Sequence, residues 1–196
     1  MHHTLSLFLL EKKLKSHHFL SPEELAYAVY NLEVLLINLE KVMTIYFFAL
    51  IFQNISTTII VHLSYFFIRI FAGGWHAQSS IGCTVISVVG FVFLPKIVQS
   101  LPINIESPAF MLFAIALLAI IWKYAPAGTE KKRITDSYQR RKLRWQAIAV
   151  TTILLIVAHL STSVDLQILI LLGLSIEAIT IHPYFYQLMK RGQKND

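Results

Sequence analysis

Two residues in this chain could act together as a nucleophile and its base. Cys83 is the only thiol, and His76 stands seven positions before it, in the stretch RIFAGGWHAQSSIGCTV from Arg69 to Val85. An ordinary thiol, with a pKa of about 8.5, is mostly protonated at neutral pH. An imidazole that takes its proton makes it a thiolate. Ser79 or Ser80 can cap a helix that begins here, which would place Cys83 in the first turn. There the helix dipole favours an anion, and backbone N–H groups can hold an oxyanion.

The spacing sets a condition. On one straight helix the two side chains would stand about 10.5 Å apart along the axis, too far for proton transfer. Gly73, Gly74 and Gly82 allow the chain to turn back. The pattern predicts a non-helical segment within 73–80, a helix start near Ser79–Gly82, and an imidazole about 4–5 Å from the sulfur. Residue types alone leave a blander reading open, since a lone cysteine at a helix start is more often a small buried residue. A metal site is not expected, because there is no second cysteine and no H-E-x-x-H. No cofactor is expected either.

The elements that must position these residues lie in a membrane. Of 196 residues, 56% are hydrophobic and 14% charged, against about 25% charged in soluble domains. Mean hydropathy is +0.61. The expected fold is all-α: a polytopic membrane helical bundle of about six membrane-embedded helices, preceded by N-terminal amphipathic helices, with both termini cytoplasmic. It forms one integral membrane domain over 1–196. In that scheme 1–40 are interfacial amphipathic helices, 41–183 the bundle with a cytoplasmic basic loop at 125–145, and 184–196 a cytoplasmic tail. The N-terminus does not read as a signal peptide, since LSLFLL is short and no small-residue cleavage pattern follows.

Leu7, Leu10 and Leu14 recur at helical spacing beside lysines. Ser21, Pro22 and Glu24 then read as a helix start. Residues 22–40 are amphipathic, either lying on the membrane or leading into the first span. No Gly or Pro appears between Pro22 and Gly73. Residues 42–71 would run about 45 Å as one helix, longer than a hydrocarbon core of about 30 Å. A hairpin turning at Gln53-Asn54 resolves the mismatch. Later spans fall at 83–99 (interrupted by Pro95), 108–124, 146–161 and 166–182.

Positive charges test the scheme. With six crossings, the N-terminal lysines, Arg69, the basic stretch 123–144 and the tail all face one side. Of 17 Lys and Arg, only Lys96 falls on the other. A single crossing for 42–71 would put Lys12, Lys13, Lys15 and Lys41 on the wrong side. Both versions leave His76 and Cys83 on the cytoplasmic side.

The stretch from Arg69 to Val85 resembles the signature of the accessory gene regulator B family (AgrB), membrane cysteine endopeptidases that process quorum-sensing propeptides. Arg69, Gly74, His76, Ala77, Ser80 and Cys83 match its pattern. KYAPAGTEKKRI and IEAITIHP resemble two further family stretches, so the likeness covers most of 69–183. It implies that Cys83 attacks a peptide carbonyl of a short AgrD-like propeptide, with His76 as base and then acid. A thioester acyl-enzyme follows, then capture to a thiolactone or lactone. It suggests a homodimer in the bacterial cell membrane among lipids, with no nucleic acid as partner.

Around this pair Arg69, Gly74 and Ser80 are expected to shape the site or bind substrate. Lys131 and Lys132 lie in a basic loop that carries the topology signal and could attract an acidic propeptide end. Arg69 could instead be an interface anchor. Glu177 could orient His76 or form a structural pair; His62, His159 and His182 are further ionisable groups in apolar segments. Two rival functions remain at this point: a small transporter subunit using Glu177 and these histidines as a polar path, and a non-catalytic signalling scaffold.

The charge count yields a topology test. In a Cys83→Ala background, a cysteine at Asn104 should react with a membrane-impermeant maleimide in intact cells, and cysteines within 128–142 should react only after permeabilisation. Labelling of that loop in intact cells would invert the orientation.

Overall fold

The computed structural model describes residues 22–75, 80–103, 106–127 and 136–192. Residues 1–20, His76, Lys131 and Lys132 lie outside them, as does the His76–Cys83 distance. The described chain is helical almost throughout: α1 (Pro22–Ile51), α2 (Ile55–Ala72), α3 (Ser80–Val88), a π-helical turn (Val89–Phe93), α4 (Leu94–Ser100), α5 (Ser107–Tyr124), α6 (Ser137–Leu160), α7 (Val164–Ile181) and α8 (Pro183–Gly192). Among the described residues, 5 helical segments are long and apolar enough to cross a membrane: Ile55–Ala72, Ile81–Ser100, Ser107–Tyr124, Ser137–Leu160 and Val164–Ile181. Large apolar side chains such as Leu112, Ile115, Ile153 and Leu160 stay exposed on their outer faces, where lipid rather than water is the matching solvent.

The expected hairpin is present. With no Gly or Pro to stop it, α1 runs unbroken from Pro22 to Ile51, so residue 40 marks no boundary. The chain then turns through Gln53, whose φ is 54°, and Asn54 precedes α2. Asn54 Nδ2 donates to the Val92 carbonyl at 2.7 Å, and Lys96 Nζ to the Phe52 carbonyl at 3.0 Å. The α1–α2 turn therefore lies at the same end of the bundle as α4.

Pro95 does not end the third span. A proline displaces the helical hydrogen bond at its own position and crowds the preceding turn. Here the turn just before it widens to π geometry, with Leu94 N–H reaching back to the Val89 carbonyl, and the rod continues to Ser100.

Two other boundaries differ from the sequence expectation. Residues 137–145 of the basic loop are helix: Asp136 caps α6 by accepting from the Tyr138 and Gln139 N–H groups, so Arg140, Arg141, Lys142 and Arg144 extend it beyond its apolar part. The tail likewise begins with α8, set off from α7 by extended His182 and opened by Pro183.

α7 is the most enclosed helix. One core cluster joins it to the ends of α2, α5 and α6 through Ile68, Ala72, Leu117, Ile121, Leu155, Leu171 and Leu174. A second joins it to α1, α2 and the π-helical turn through Ile45, Ala49, Val61, Val92 and Leu169. Lipid supplies no hydrophobic drive between helices, so close approach of small residues must provide attraction. At Gly173 the α2 backbone comes so near that an added Cβ would sit 2.6 Å from the Val61 carbonyl oxygen and 2.7 Å from Ser64 Cβ. Gly173→Val should therefore force α2 and α7 apart and lower stability in detergent by about 1–3 kcal/mol or more. Unchanged SDS- or urea-induced unfolding would contradict that packing.

Candidate active site

Four segments converge at one end of the bundle. Arg69 stands in the last turn of α2, a position where cations suit the helix dipole. Beyond Ala72 the chain leaves the helix through Gly73 (φ 68°) and Gly74 (φ 123°), backbone that L side chains adopt at a cost. The turn is stitched to the segment after α5: Ala127 N–H donates to the Ala72 carbonyl at 2.7 Å and Gly74 N–H to the Ala127 carbonyl at 3.1 Å. Trp75 N–H donates to the Thr180 carbonyl of α7 at 3.0 Å. Arg144 of α6 adds a bond from Nε to the Ala125 carbonyl at 2.8 Å. The turn at 73–75 and the segment at 125–127 thus meet at one end of the molecule.

Arg69 is the centre of this junction. Its Nη2 donates to the carbonyls of Trp75 (2.6 Å) and Gly74 (3.2 Å), and its Nη1 to Thr180 Oγ1 (3.1 Å) and Glu177 Oε2 (3.5 Å). Glu177 is fully buried and pairs with Arg69 across 3.5 Å. Thr180 Oγ1 also lies 2.8 Å from Glu177 Oε2. Of the two roles open to Glu177 in the sequence, the structural pair is the one formed among the described residues. Gly74 is explained in the same way, because a Cβ there would collide with Arg69 Nη1. Gly82, read as part of the turn, lies inside α3 instead, whereas Gly73 and Gly74 lie beyond the end of α2 with positive φ.

Ser80 opens α3, and Cys83 is its fourth residue, within the first turn and part-buried. This matches the predicted helix start. The thiol lies within electrostatic reach of the Tyr65 phenol. The Arg69 guanidinium sits 5.7 Å from the centroid of the same ring. Tyr65 therefore lies against the ion pair. Sequence reasoning missed Tyr65 and Thr180, although spacing carried a signal. Tyr65 precedes Arg69 by one helical turn and Thr180 follows Glu177 by one, so each shares its partner's face.

The other ionisable groups do not join this cluster. His62 Nδ1 lies 3.1 Å from Tyr46 Oη, and its ring packs on Phe91 at 4.9 Å. His159 packs on Phe110 at 5.2 Å, and His182 on Tyr124 at 4.7 Å while its Nδ1 accepts from Tyr184 N–H. Each histidine has its own aromatic neighbour and shares no hydrogen-bond partner with Glu177 among the described residues, which offers no support for a continuous polar path. Among those residues no group of His, Cys, Asp and Glu could hold a metal ion.

The family model for accessory gene regulator B matches residues 9–181. The chain belongs to the accessory gene regulator B family. It is 36% identical over 166 residues to a putative AgrB-like protein of Listeria innocua, covering 85% of this chain and 80% of that protein. It is 34% identical over 166 residues to a putative AgrB-like protein of Listeria monocytogenes, with the same coverage of 85% and 80%. To the accessory gene regulator protein B of Staphylococcus epidermidis it is 36% identical over 158 residues, 80% of this chain and 78% of that one. No solved structure matches. Family and helices together make this AgrB-family chain a multi-pass membrane protein, and link it to quorum-sensing autoinducer peptide processing.

The ion pair makes a stability prediction. Arg69→Leu would leave Glu177 buried without its partner and should destabilise the detergent-solubilised protein by about 3–5 kcal/mol. Adding Glu177→Leu should recover part of the loss. A double variant as unstable as the two single losses summed would show that the charges are not coupled.

Proposed function

We propose that this AgrB-family protein is a membrane-embedded cysteine endopeptidase that cleaves a short quorum-sensing propeptide and promotes its cyclisation. The observation that carries the reading is the placement of Cys83 in the first turn of α3, with a turn earlier in the chain whose carbonyls are held by Arg69. That turn delivers the chain to position 76. His76 then has the role of base, taking the thiol proton.

The Cys83 thiolate adds to the scissile carbonyl carbon. Backbone N–H groups at the start of α3 are suited to the resulting oxyanion. The C–N bond breaks, and the amine of the C-terminal fragment departs with the proton from the His76 imidazolium. A thioester remains on Cys83. A cysteine thiol within the bound peptide then displaces Cys83 and closes a thiolactone; a serine hydroxyl would close a lactone. Exchange of one thioester for another keeps the activated acyl bond, provided water is kept away, and an apolar membrane setting favours that.

Charge placement supports a substrate with an acidic end. Arg140, Arg141 and Lys142 are exposed on the first turns of α6, and Lys131 and Lys132 precede them in sequence. Under the positive-inside rule this end faces the cytoplasm of a bacterial cell, where the propeptide is made. Ser80 belongs to the same helix start as Cys83, and a homodimer is the proposed assembly.

Cys83→Ala and His76→Ala should each abolish cleavage, measured by mass spectrometry on proteoliposomes given a 40–60-residue propeptide from a neighbouring reading frame. Because the two act as a unit, the double variant should be no worse than either alone. Substantial processing by membrane-inserted Cys83→Ala would end the peptidase reading.

A further inference from the structure

α5 and α6 each turn one apolar stripe outward, and both stripes end on a tryptophan. On α6 the buried side is Ala147, Thr151, Leu155 and Ala158. The opposite side exposes Leu160, Ile156, Ile153, Ala149 and Trp145, in steps of three or four residues. Leu112, Ile115 and Trp122 are exposed in the same way on α5. Apolar side chains exposed on a membrane span face acyl chains. The Trp122 and Trp145 rings meet edge-on, with centroids 5.3 Å apart, and each side chain stays half exposed. A tryptophan pair that closes two lipid-facing stripes marks the depth at which hydrocarbon gives way to headgroups.

The same stripe continues into charge. Arg141 and Lys142 precede Trp145 by four and three positions and are exposed, so they lie on its side of α6. At the helical rise they stand about 4.5–6 Å beyond the indole along the axis. Lipid phosphates lie at that depth, just outside the aromatic belt. Arg144 differs, since its Nε turns to the Ala125 carbonyl at 2.8 Å. No Asp or Glu occurs between Ser137 and Leu160, and Asp136 accepts from the Tyr138 and Gln139 N–H groups as the helix cap. The outward side of α6 therefore presents two adjacent cations directly above an exposed aromatic pair, with no carboxylate on that helix to neutralise them.

We propose that this outer corner of α5 and α6 binds an anionic phospholipid: Arg141 and Lys142 take its phosphate, and the Trp122–Trp145 pair takes the glycerol-ester end of its chains. Arginine offers a planar fork to phosphate oxygens and lysine a point charge. Indole brings an apolar ring with one N–H donor, which suits the ester level. A zwitterionic headgroup would bring its own cation against Arg141 and Lys142, so a head with net negative charge is the better fit. An acidic peptide arriving from water would also meet these cations, but it would leave the tryptophan pair beneath them without a role. The site lies on the side of α6 opposite its core contacts, so it stands apart from the 73–75 turn and does not rest on the peptidase reading.

The test uses the full-length protein in phosphatidylcholine vesicles, with Trp75→Phe throughout so that Trp122 and Trp145 are the only tryptophans. The probes are phosphatidylglycerol and phosphatidylcholine carrying brominated acyl chains, and the readout is quenching of tryptophan fluorescence against mole fraction. Brominated phosphatidylglycerol should reach half-quenching at about a tenfold lower mole fraction than brominated phosphatidylcholine. Arg141→Gln with Lys142→Gln should abolish that preference, while the swap Arg141→Lys with Lys142→Arg should keep most of it. Arg140→Gln, one position away, should leave it in place. Equal quenching by the two lipids would overturn the proposal. So would a preference that survives the double Gln variant, because the cations would then serve the aqueous side, an acidic propeptide included. A loss with Arg140→Gln as large as with Arg141→Gln would show diffuse attraction instead of a site. Competition by soluble glycerol phosphate would make it a free-phosphate site and overturn the lipid assignment.

Discussion

The site end of this molecule depends on one buried ion pair. A carboxylate enclosed by apolar helices is costly unless a cation and hydrogen bonds meet it. Glu177 on α7 has Arg69 on α2 and Thr180 one turn away on its own helix. Arg69 in turn has donors to spare, and it directs them to the carbonyls of Gly74 and Trp75. A lysine could neutralise Glu177 but could not span both sides, because its donors radiate from a single atom whereas a guanidinium is a planar fork. The pair therefore does two things at once: it makes an intramembrane charge tolerable, and it shapes the stretch of backbone that leaves α2.

Everything near the junction accommodates that guanidinium. Gly74 has no Cβ because Arg69 occupies the space. Gly73 carries a positive φ where the chain passes Ala127. The segment after α5 and the Thr180 carbonyl take the N–H groups that the turn would otherwise leave unpaired. In lipid, irregular backbone survives only where protein satisfies its polar groups, and this turn meets that condition through three separate helices' neighbourhoods. Close packing of α2 on α7 at Gly173 brings Arg69 and Glu177 within reach in the first place.

The arrangement suits the proposed chemistry of an enzyme that conserves a thioester. Such an enzyme must hold its nucleophile at a defined helix start and its base on a defined turn, while most of the surroundings remain apolar. Cys83 receives the first from α3. The Arg69 junction holds the backbone carbonyls at 74 and 75, and the Tyr65 ring lies beside the guanidinium. The cations of the early α6 turns lie toward the same end, where Arg144 holds the Ala125 carbonyl.

Much of this was legible in the residues alone. Apolar run lengths determined an all-α membrane bundle and the turn at Gln53-Asn54, because bilayer thickness acts on local composition. The two glycines and the polar stretch after them pointed to a helix starting near residue 80 with Cys83 in its first turn, because backbone freedom is a local property. What the sequence left open were matters of partnership. Arg69 could have been an interface anchor and Glu177 a partner for a histidine, since a single residue carries no record of the helix it will face across 108 positions. Only the packing of α2 on α7 decided that these two charges meet, that Tyr65 and Thr180 join them, and that His62, His159 and His182 rest among separate aromatic neighbours instead. Pro95 and the Arg-rich start of α6 followed the same division. A breaker or a run of charges marks a local cost, but whether a π-helical turn or an Asp136 cap absorbs it depends on what the neighbouring helices allow.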